Sequence, residues 1–396
     1  MKIAIFSDTF FSSSQINGVA NVATKSAETL SELGHEVMVF TAVPGADKKK
    51  LKNNGKYEIV FCPSLPIGII YRGERFALPI DFRALYKIRK FKPEIIHTHT
   101  PFTMGWWSIL ASKIFDIKLV GTHHTFYDHY LKHVKLDFKL GRWLNWKLTL
   151  KYYNSCDLVL SPSKALADEM VKRGLYKPVK VLANSVDIDF FKPATTDIKE
   201  QLKKKFGLPR CSLVYVGRVS YEKSIDQAIR AFTSAAEKNL EIKLMIVGDG
   251  PERKKIEKLA TDLGIKDRMI FTGFLRGHDL REAFQASDIF ITASKSENMP
   301  ITMLEAMAVG LPFISVSEKG IPELVRHGIN GFLSKADDIN DMAKNILELC
   351  SNSDLLVKMS AASLEFVTEH SLKNKMNSLT DIYREVINGN GGLKLI

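Results

Sequence analysis

The chain has 396 residues, of which 45% are hydrophobic and 25% charged; this composition is typical of a soluble globular protein and excludes a disordered chain. Its length favours two domains, and no apolar run reaches the roughly 18 to 20 residues of a membrane-spanning helix. The formal net charge of +12 is concentrated in residues 1–192, where 28 Lys and Arg stand against 17 Asp and Glu, so we expect this half to meet an anionic partner.

Short β-branched runs alternate with helical patterns along the whole chain. Nearly continuous apolar strands between amphipathic helices indicate parallel sheets that are covered on both faces. Two series of such strands predict two doubly wound α/β domains, with ligands at the carboxyl ends of the strands. The predicted strands are 2–8, 36–42, 94–100, 118–124 and 157–163 in the first series, and 212–218, 243–250, 269–274, 288–294 and 312–318 in the second.

The join between the domains is predicted in the stretch 187–211, which is polar and broken by Pro193 and Pro209. We therefore predict an N-terminal domain over 1–192, a C-terminal domain over 193–371, and a last helix and tail over 372–396. The four cysteines have no framework spacing, which favours reduced thiols over disulfides. They are Cys62, Cys156, Cys211 and Cys350.

The loop 7–23 joins the first predicted strand to its helix. Asn17 and Gly18 stand just before this helix, where a glycine allows the backbone to approach a phosphate closely. The loop lacks the G-x-G-x-x-G pattern, so no dinucleotide fingerprint is present.

Histidines cluster after the next two strands, at positions 97, 99, 123, 124, 129 and 133. The i,i+4 spacing of His129 and His133 raises the possibility of a zinc site, but no H-E-x-x-H pattern accompanies it. His124, at the end of a predicted strand, is the better candidate for contact with a substrate.

Basic and aromatic residues alternate in the segment 131–153. Lys132, Lys135, Lys139 and Arg142 fall within an arc of about 80° on a helix, and Trp143 and Trp146 lie beside them. This combination is typical of a helix on an anionic membrane surface. The alternative is a packed helix with a solvated basic edge. The segment 71–92 adds further cations and apolar residues to the same surface.

The second domain opens with YVGRVSYEKS, residues 215–224. A strand ends at Gly217, and Arg218 and Lys223 stand on the loop that enters the next helix. A diphosphate requires neutralised charge and donors at fixed geometry, which an arginine fork and a lysine together supply. The alternative is that both cations make ordinary surface ion pairs. Gly248 and Gly250 follow the next strand in VGDGPE.

The stretch SENMPITMLEAMAVGLP, residues 296–312, follows another predicted strand. Pro300 suits the first helical position, and Gly310 with Pro312 ends the helix. The backbone N–H groups near Met299 to Thr302 then form an anion site at the positive end of the helix dipole. Glu305 is placed to accept hydrogen bonds from ligand hydroxyls. The alternative is that these carboxylates only complement the dipole.

Together these motifs resemble glycosyltransferase family 4, whose GT-B architecture has two Rossmann-like domains facing an interdomain cleft. The resemblance rests on Glu297-x7-Glu305 with LEAMAVGLP, on Gly217-Arg218 with Glu222-Lys223, and on VGDGP. Within the family, the first half is most similar to bacterial 1,2-diacylglycerol 3-glucosyltransferases. The similar stretches are HTHTPFTMG (97–105), GTHHTFYDHYLKH (121–133) and ERFALP (74–79).

The resemblance implies roles for individual residues. Arg218 and Lys223 would hold the donor diphosphate, Glu305 the ribose, and Glu297 with the following amides the transferred sugar, while His124 would contact that sugar. The implied catalytic set is His124, Glu297, Arg218 and Lys223, and the implied donor-binding set adds Gly18, Gly217, Gly248, Phe274, Asn298, Met299, Pro300, Ile301 and Glu305. The implied reaction retains the anomeric configuration and uses neither metal nor cofactor. The last helix is expected to be able to cross back onto the first domain.

Two departures from the family pattern bear on the donor site. Members commonly read Glu-Gly-Phe-Gly where this chain has Glu297-Asn298-Met299-Pro300, and Ser224 replaces a common glycine.

The expected function is transfer of a hexose, glucose, from a nucleotide-sugar, UDP-glucose, to diacylglycerol. The enzyme is expected to be peripheral on the cytoplasmic side of the cell membrane, held by the cations and tryptophans of 131–153. Three alternatives stand beside it: another acceptor (phosphoinositol, polyprenyl-linked or soluble sugar), a nucleotide-sugar epimerase of the same fold, and nucleic-acid binding. The last ranks lowest because no recognised nucleic-acid module accompanies the charge.

Overall fold

The structure is a computed structural model that describes residues 1–10, 18–42, 56–66, 75–78, 81–125, 138–238 and 241–389. It divides into two compact units: one runs to Asn184 and includes the C-terminal helix from Leu372, and the other runs from Ser185 to Ser371. The first boundary therefore lies earlier than residue 192. The reason is packing, because the backbone of Val186 pairs with Ser371 and the ring of Phe191 packs against Phe284.

A seven-stranded parallel sheet forms the centre of the first unit, in the order β3-β2-β1-β6-β7-β8-β9. The interior strand β1 pairs Ile5 with Val39 on one side and with His97 on the other. The strands are β1 (Lys2–Ser7), β2 (Glu36–Thr41), β3 (Glu58–Phe61), β6 (Ile95–Thr98), β7 (Lys118–Thr122), β8 (Leu158–Ser161) and β9 (Val179–Val181), and an antiparallel pair is formed by β4 (Ser64–Pro66) and β5 (Arg75–Ala77).

Helices cover both faces of this sheet. Successive residues of β1 point to opposite faces, and because the residues from Ile3 to Phe6 are all apolar, both faces must be buried. Ala4 and Phe6 belong to one apolar core, whereas Ile3 and Ile5 belong to another. The first core is covered by α2 to α5, and the second by α1 and the C-terminal helix. These helices are α1 (Gly18–Glu32), α2 (Phe82–Phe91), α3 (Thr103–Phe115), α4 (Lys139–Tyr153), α5 (Lys164–Lys172) and the C-terminal helix (Leu372–Ile387).

The second unit is built on a six-stranded parallel sheet in the order β12-β11-β10-β13-β14-β15. Its first strands, β10 and β11, pair in register from Cys211 with Ile242 to Val216 with Val247. The strands are β10 (Cys211–Val216), β11 (Ile242–Val247), β12 (Met269–Gly273), β13 (Ile289–Ile291), β14 (Phe313–Val316) and β15 (Gly331–Ser334).

Eight α-helices and three 3₁₀ turns of the described chain accompany this second sheet. No described helix of either unit has the length and apolar character that crossing a bilayer requires. The helices are α6 (Thr196–Phe206), α7 (Ile225–Ala236), α8 (Arg253–Asp262), α9 (Gly277–Ala286), α10 (Ile301–Ala308), α11 (Ile321–Leu324), α12 (Ile339–Ser351) and α13 (Ser353–Val367), and the 3₁₀ turns are Tyr221–Lys223, Lys266–Arg268 and Thr368–His370.

A buried carboxylate anchors α6 to the second sheet. The Asp288 side chain is 6% exposed, and it accepts hydrogen bonds from the backbone N–H and hydroxyl of Ser212, each at 2.9 Å. Lys199 and Lys203 of α6 neutralise its charge. The start of β10, the start of β13 and α6 are therefore held at one point.

A disulfide joins Cys211 at the start of β10 to Cys350 near the end of α12, while Cys62 and Cys156 are buried free thiols. The expectation of four reduced thiols is wrong for the first pair. The two cysteines are separated by 139 residues in sequence, so no local spacing motif announces their contact.

Reduction of this bridge is expected to lower stability. In the chain-entropy model, closing a loop of this length contributes about 4 to 5 kcal/mol. We expect dithiothreitol to lower the Tm of the wild type but not that of a Cys350→Ser variant. Thiol titration of the unreduced, denatured protein should find two free thiols, and finding four would contradict the bridge.

Candidate donor site and basic helical face

The loop after β10 carries two of the predicted cations, Arg218 and Lys223. The Tyr215 hydroxyl, at the end of β10, donates a hydrogen bond to the Arg218 carbonyl (3.0 Å) and so holds the start of the loop. Ser224 ends the 3₁₀ turn with φ 48°, in the left-handed region that favours glycine. The position at which the chain departs from the family pattern is therefore one at which a glycine would fit without strain.

A close backbone approach explains the glycine after β11. Gly248 has φ 147°, and a Cβ added there would overlap the Gly217 carbonyl oxygen. Its N–H donates to the Gly273 carbonyl (2.8 Å), and the Gly217 N–H donates to Val247 (3.0 Å). The ends of β10, β11 and β12 are thus tied together, and Phe274, the next residue after β12, has a ring that is 49% exposed.

The two predicted donor loops meet through an ion pair. The Lys223 ammonium lies 2.5 Å from a carboxylate oxygen of Glu297, and both side chains are 18% exposed. A second link is a hydrogen bond from the Ser296 hydroxyl to the Glu222 carbonyl (3.3 Å). The loop after β10 and the loop after β13 therefore form one site, which we call the candidate donor site. The ion pair of Lys223 is partly buried and links two loops, and the binding of a diphosphate by Lys223 stays a prediction.

A glycine that the sequence analysis did not single out holds the second loop in place. The Gly320 N–H donates to the Glu297 carbonyl (3.1 Å), and a Cβ on Gly320 would overlap the Asn298 carbonyl oxygen. Asn298 and Met299 are buried behind this contact. The only signal in the sequence is a glycine just before α11, which is too common to identify a site.

The helix that follows the loop begins at Ile301, and Pro300 occupies its N-cap with φ −70° and ψ 123°. The prediction that Pro300 is the first helical residue is therefore wrong by one position, because its ψ is extended. Gly310 lies just beyond the end of α10, with φ 82°. Within the helix the N–H groups of Ile301 and Thr302 have no acceptor, as at any helix start. The positive end of the α10 dipole thus faces the loop that carries Glu297.

Glu305 lies inside α10 and is 8% exposed. Burial raises the pKa of its carboxyl group from 4.5 to about 8. A buried carboxyl group in the second turn of the helix differs from the exposed first-turn carboxylate that merely complements a dipole. A carboxyl group with such a pKa can act toward a hydroxyl group as a hydrogen-bond donor when protonated and as an acceptor when ionised.

This buried carboxyl group makes stability depend on pH. Since the folded-state pKa is raised, the folded chain keeps a proton that the unfolded chain has lost, and stability falls as pH rises from about 4.5 to about 8. We expect Glu305→Gln to match the wild type at pH 5, to exceed it in Tm at pH 7, and to show its full advantage at pH 9. Thermal melts of both proteins at these pH values provide the test, and a difference that does not change with pH would contradict it.

In the first unit, His124 follows β7 and contacts other histidines. Its Nε2 lies 3.1 Å from Nδ1 of His99, and the His99 ring packs against His97 at 4.2 Å between centroids. His123 is buried against the ring of Tyr153. Burial lowers the pKa of His124 to about 4 and those of His97 and His123 to about 3, so these rings are neutral at neutral pH.

Gly18, predicted just before the first helix, is the first residue of α1, one position inside it. Residues 11–17 of its loop, Asn17 among them, lie outside the described residues, as do His129, His133, Lys132 and Lys135 of the predicted clusters.

The predicted basic stripe of 131–153 is only partly on the surface. Lys139, Arg142 and Trp143 of α4 are exposed, with Trp143 at 55%. Trp146 is 5% exposed, and its ring contacts the ring of His123 and the guanidinium of Arg173. The prediction that Trp146 contacts a membrane is therefore wrong. The residue lies three positions after the exposed Trp143 and on the side of α4 that faces the core.

Apolar side chains missed by the sequence analysis take its place on the surface. Trp106, Leu110 and Ile114 of α3 are 42%, 41% and 52% exposed, at i, i+4 and i+8 on one stripe. Phe82 and Tyr86 of α2, which lie in the segment 71–92 predicted to join this surface, are exposed as well. No pattern revealed the α3 stripe, because TMGWWSILASKIF is apolar on nearly all sides.

The helices α2, α3 and α4 adjoin on one side of the first unit. All three cover the same apolar core, and Trp106 of α3 contacts Tyr152 of α4. Together they contain nine Lys and Arg and no Asp or Glu. We call their outward side the basic helical face; its exposed apolar residues are Phe82, Tyr86, Trp106, Leu110, Ile114, Leu140, Trp143, Leu144 and Leu148.

Comparisons with known proteins agree with this organisation. Residues 16–190 match the family model Glycosyltransferase Family 4, and residues 198–366 match the model Glycosyl transferases group 1. The alpha-monoglucosyldiacylglycerol synthase of Streptococcus pneumoniae is 27% identical over 96% of this chain and 82% of its own length. The alpha-monoglucosyldiacylglycerol synthase of Acholeplasma laidlawii is 26% identical over 98% of both chains.

Among solved structures, Anabaena HepE in complex with UDP is similar, with a TM-score of 0.79 and 19% identity over 97% of this chain and 100% of that chain. At this identity the likeness shows the fold alone. It confirms the prediction of two Rossmann-like domains of the GT-B type. The chain is thus an enzyme that belongs to the glycosyltransferases, with a family 4 domain followed by a group 1 domain.

Proposed function

We propose that this glycosyltransferase moves glucose from UDP-glucose to diacylglycerol and retains the anomeric configuration, giving an α-glucosyl-diacylglycerol. The observation that carries the proposal is the basic helical face, whose three adjoining helices contain nine Lys and Arg and no Asp or Glu and expose two tryptophans; Arg83 and Lys87 pair with Asp81 and Glu58 outside these helices. The two synthases that resemble this chain over most of its length support a lipid acceptor. The enzyme acts as a peripheral protein on the cytoplasmic side of the cell membrane.

The candidate donor site would stabilise the leaving diphosphate. Arg218 supplies a planar fork of donors and Lys223 a point charge, and the start of α10 adds the positive end of a dipole. This charge arrangement supports transfer without a metal ion. Glu305 would bind the ribose hydroxyls. Gly217, Gly248 and Phe274 line the strand ends, where a nucleotide would lie.

In the transfer step, the bond between the anomeric carbon and the diphosphate oxygen breaks as the acceptor hydroxyl attacks from the same face. The acceptor proton passes to the departing diphosphate, so no protein nucleophile is required. Preorganised cations aimed at the charge that develops on the leaving group are the main source of catalysis in such a site. His124 would contact the sugar, and Glu297, held by Lys223, would bind its hydroxyl groups.

The basic helical face would bring the enzyme to its acceptor. Each cation near an anionic lipid surface contributes roughly 1 kcal/mol, and exposed tryptophan and leucine side chains enter the headgroup region. Diacylglycerol exposes one hydroxyl at that depth, so an enzyme that uses it must lie on the bilayer.

The experiment is an assay with radiolabelled UDP-glucose and vesicles of anionic phospholipid that contain diacylglycerol. We expect a lipid-soluble product that requires diacylglycerol and decreases at high salt. A product formed only with soluble sugars, phosphoinositol or polyprenyl phosphate would replace the acceptor. Incubation with donor alone distinguishes an epimerase, because an altered nucleotide-sugar would then appear without any acceptor.

A further inference from the structure

His99 lies beside His124 at the carboxyl ends of β6 and β7, and the proposed transfer step does not use it. The side chain is 2% exposed, and its backbone N–H donates to the Phe6 carbonyl at 2.9 Å. A histidine buried this deeply costs desolvation free energy unless its ring nitrogens are hydrogen-bonded. The position of each ring nitrogen therefore indicates what His99 does.

One ring nitrogen of His99 is hydrogen-bonded to His124. His99 Nδ1 lies 3.1 Å from His124 Nε2, and the two ring planes differ by 12°. Both rings are neutral because burial lowers both pKa values. In a neutral pair, one of these nitrogens carries the proton and the other presents its lone pair.

The surroundings of the other ring nitrogen of His99 indicate which nitrogen of the hydrogen-bonded pair carries the proton. Its Nε2 is enclosed, and no residue of the described chain offers it a hydrogen bond. If the proton were on Nε2, a buried N–H donor would have no acceptor among the described residues, and orphaned donors are rarer in proteins than orphaned acceptors. These contacts favour the tautomer of His99 with the proton on Nδ1, donated to Nε2 of His124. His124 then carries its own proton on Nδ1.

We propose that His99 is a positioning residue that fixes His124 in the Nδ1–H tautomer and holds its ring for the transferred sugar. The part that concerns the sugar rests on the proposed function, whereas the tautomer belongs to the chain without substrates.

The neighbouring ring of His97 holds His99 in turn. Its centroid lies 4.2 Å from that of His99, and its two nitrogens are hydrogen-bonded to the Tyr383 hydroxyl and the Thr122 hydroxyl, each at 2.6 Å. Tyr383 belongs to the C-terminal helix. The return of this helix to the first unit thus contributes to the order of the histidine pair.

The test is nuclear magnetic resonance of the full-length chain labelled with ¹⁵N-histidine, recorded near neutral pH without substrates. The His124 signals are identified by their loss in His124→Gln. We expect Nδ1 of His124 to be protonated in the wild type. In His99→Phe, the Nε2–H form that free neutral imidazole prefers should appear. In His99→Asn, whose amide nitrogen lies near the place of Nδ1, the wild-type pattern should remain.

Protonation of His124 on Nε2 in the wild type, or an unchanged tautomer in His99→Phe, would overturn the proposal. The wild-type and His99→Asn spectra decide the matter even if His99→Phe fails to fold.

Kinetics test the positioning role separately. We expect His99→Phe to lower kcat roughly tenfold with little change in KM for the donor, as loss of one orienting hydrogen bond predicts. His99→Asn should recover most of the activity, and His35→Gln, outside the cluster, should match the wild type. An unaltered kcat in His99→Phe would refute the positioning role. Failure of the lipid acceptor assay would leave the spectra unaffected, so the two proposals fail independently.

Discussion

Replacement of Lys223 by alanine is expected to lower kcat by about 10²-fold or more, because the ammonium group would no longer balance the charge on the departing diphosphate. The same change leaves the carboxylate of Glu297, 18% exposed, without its ion-pair partner beside a polyanionic ligand. Lys223→Arg keeps the charge but not the geometry, so an intermediate activity is expected. Arg218→Ala should show a loss of similar size.

Steady-state kinetics with UDP-glucose and mixed vesicles provide the measurement. Lys205→Ala is the matched control, since Lys205 is exposed on α6 and pairs with Glu282 away from the candidate donor site. Thermal melts of each variant separate loss of catalysis from loss of fold. Full activity of Lys223→Ala or Arg218→Ala would show that the diphosphate leaves from somewhere else.

All the interior strands of both sheets could be predicted from the sequence, whereas only one of the four edge strands, β12, could be predicted. All ten predicted strands are present, and most are interior strands whose apolar runs are nearly continuous. The three missed strands of these sheets, β3, β9 and β15, all lie at sheet edges. Their sequences are short and partly polar, as VKV in β9 illustrates. An edge strand is buried on fewer sides, so its sequence carries a weaker pattern.

The candidate donor site shows which part of a site sequence patterns can reveal. Arg218, Lys223, Glu297 and Glu305 stand on short motifs after predicted strands, and parallel strands bring such motifs to one edge of a sheet. Gly320 and the Cys211–Cys350 bridge depend on approaches between segments distant in sequence. No local pattern records such an approach.

On the basic helical face, the sequence pattern placed one residue on the surface that is in fact buried. Helical periodicity placed Lys139, Arg142 and Trp143 on the surface of α4, but it placed Trp146 there as well. A tryptophan one helical turn from an exposed stripe can face either the solvent or the core. Trp146 faces the core, where it belongs to the same buried apolar cluster as Tyr153. On α3 the periodicity is hidden, since residues that contact the core and residues that face outward are both apolar.

Replacement of Trp106, Leu110 and Ile114 together by serine is expected to weaken binding to anionic vesicles by about 10²-fold. Each of these side chains is roughly half exposed, so its transfer into the headgroup region contributes about 1 kcal/mol, less than the 1.5 to 3 kcal/mol of full burial. Three such terms amount to about 3 kcal/mol, which corresponds to about two orders of magnitude in Kd. Binding of UDP alone should be unchanged, because these residues lie in the first unit and the candidate donor site in the second.

Vesicle co-sedimentation over a range of lipid compositions distinguishes the apolar from the charged contribution. The serine triple variant should lose affinity at both low and high salt, whereas replacement of Lys139, Arg142 and Lys147 by serine should lose it only on anionic vesicles at low salt. Ile198→Ser with Val357→Ser is the matched control, because both residues are exposed apolar side chains of the second unit. If the triple variant bound vesicles as the wild type does, the α3 stripe would not be the surface that meets the lipid, and the acceptor would have to reach the enzyme by another route.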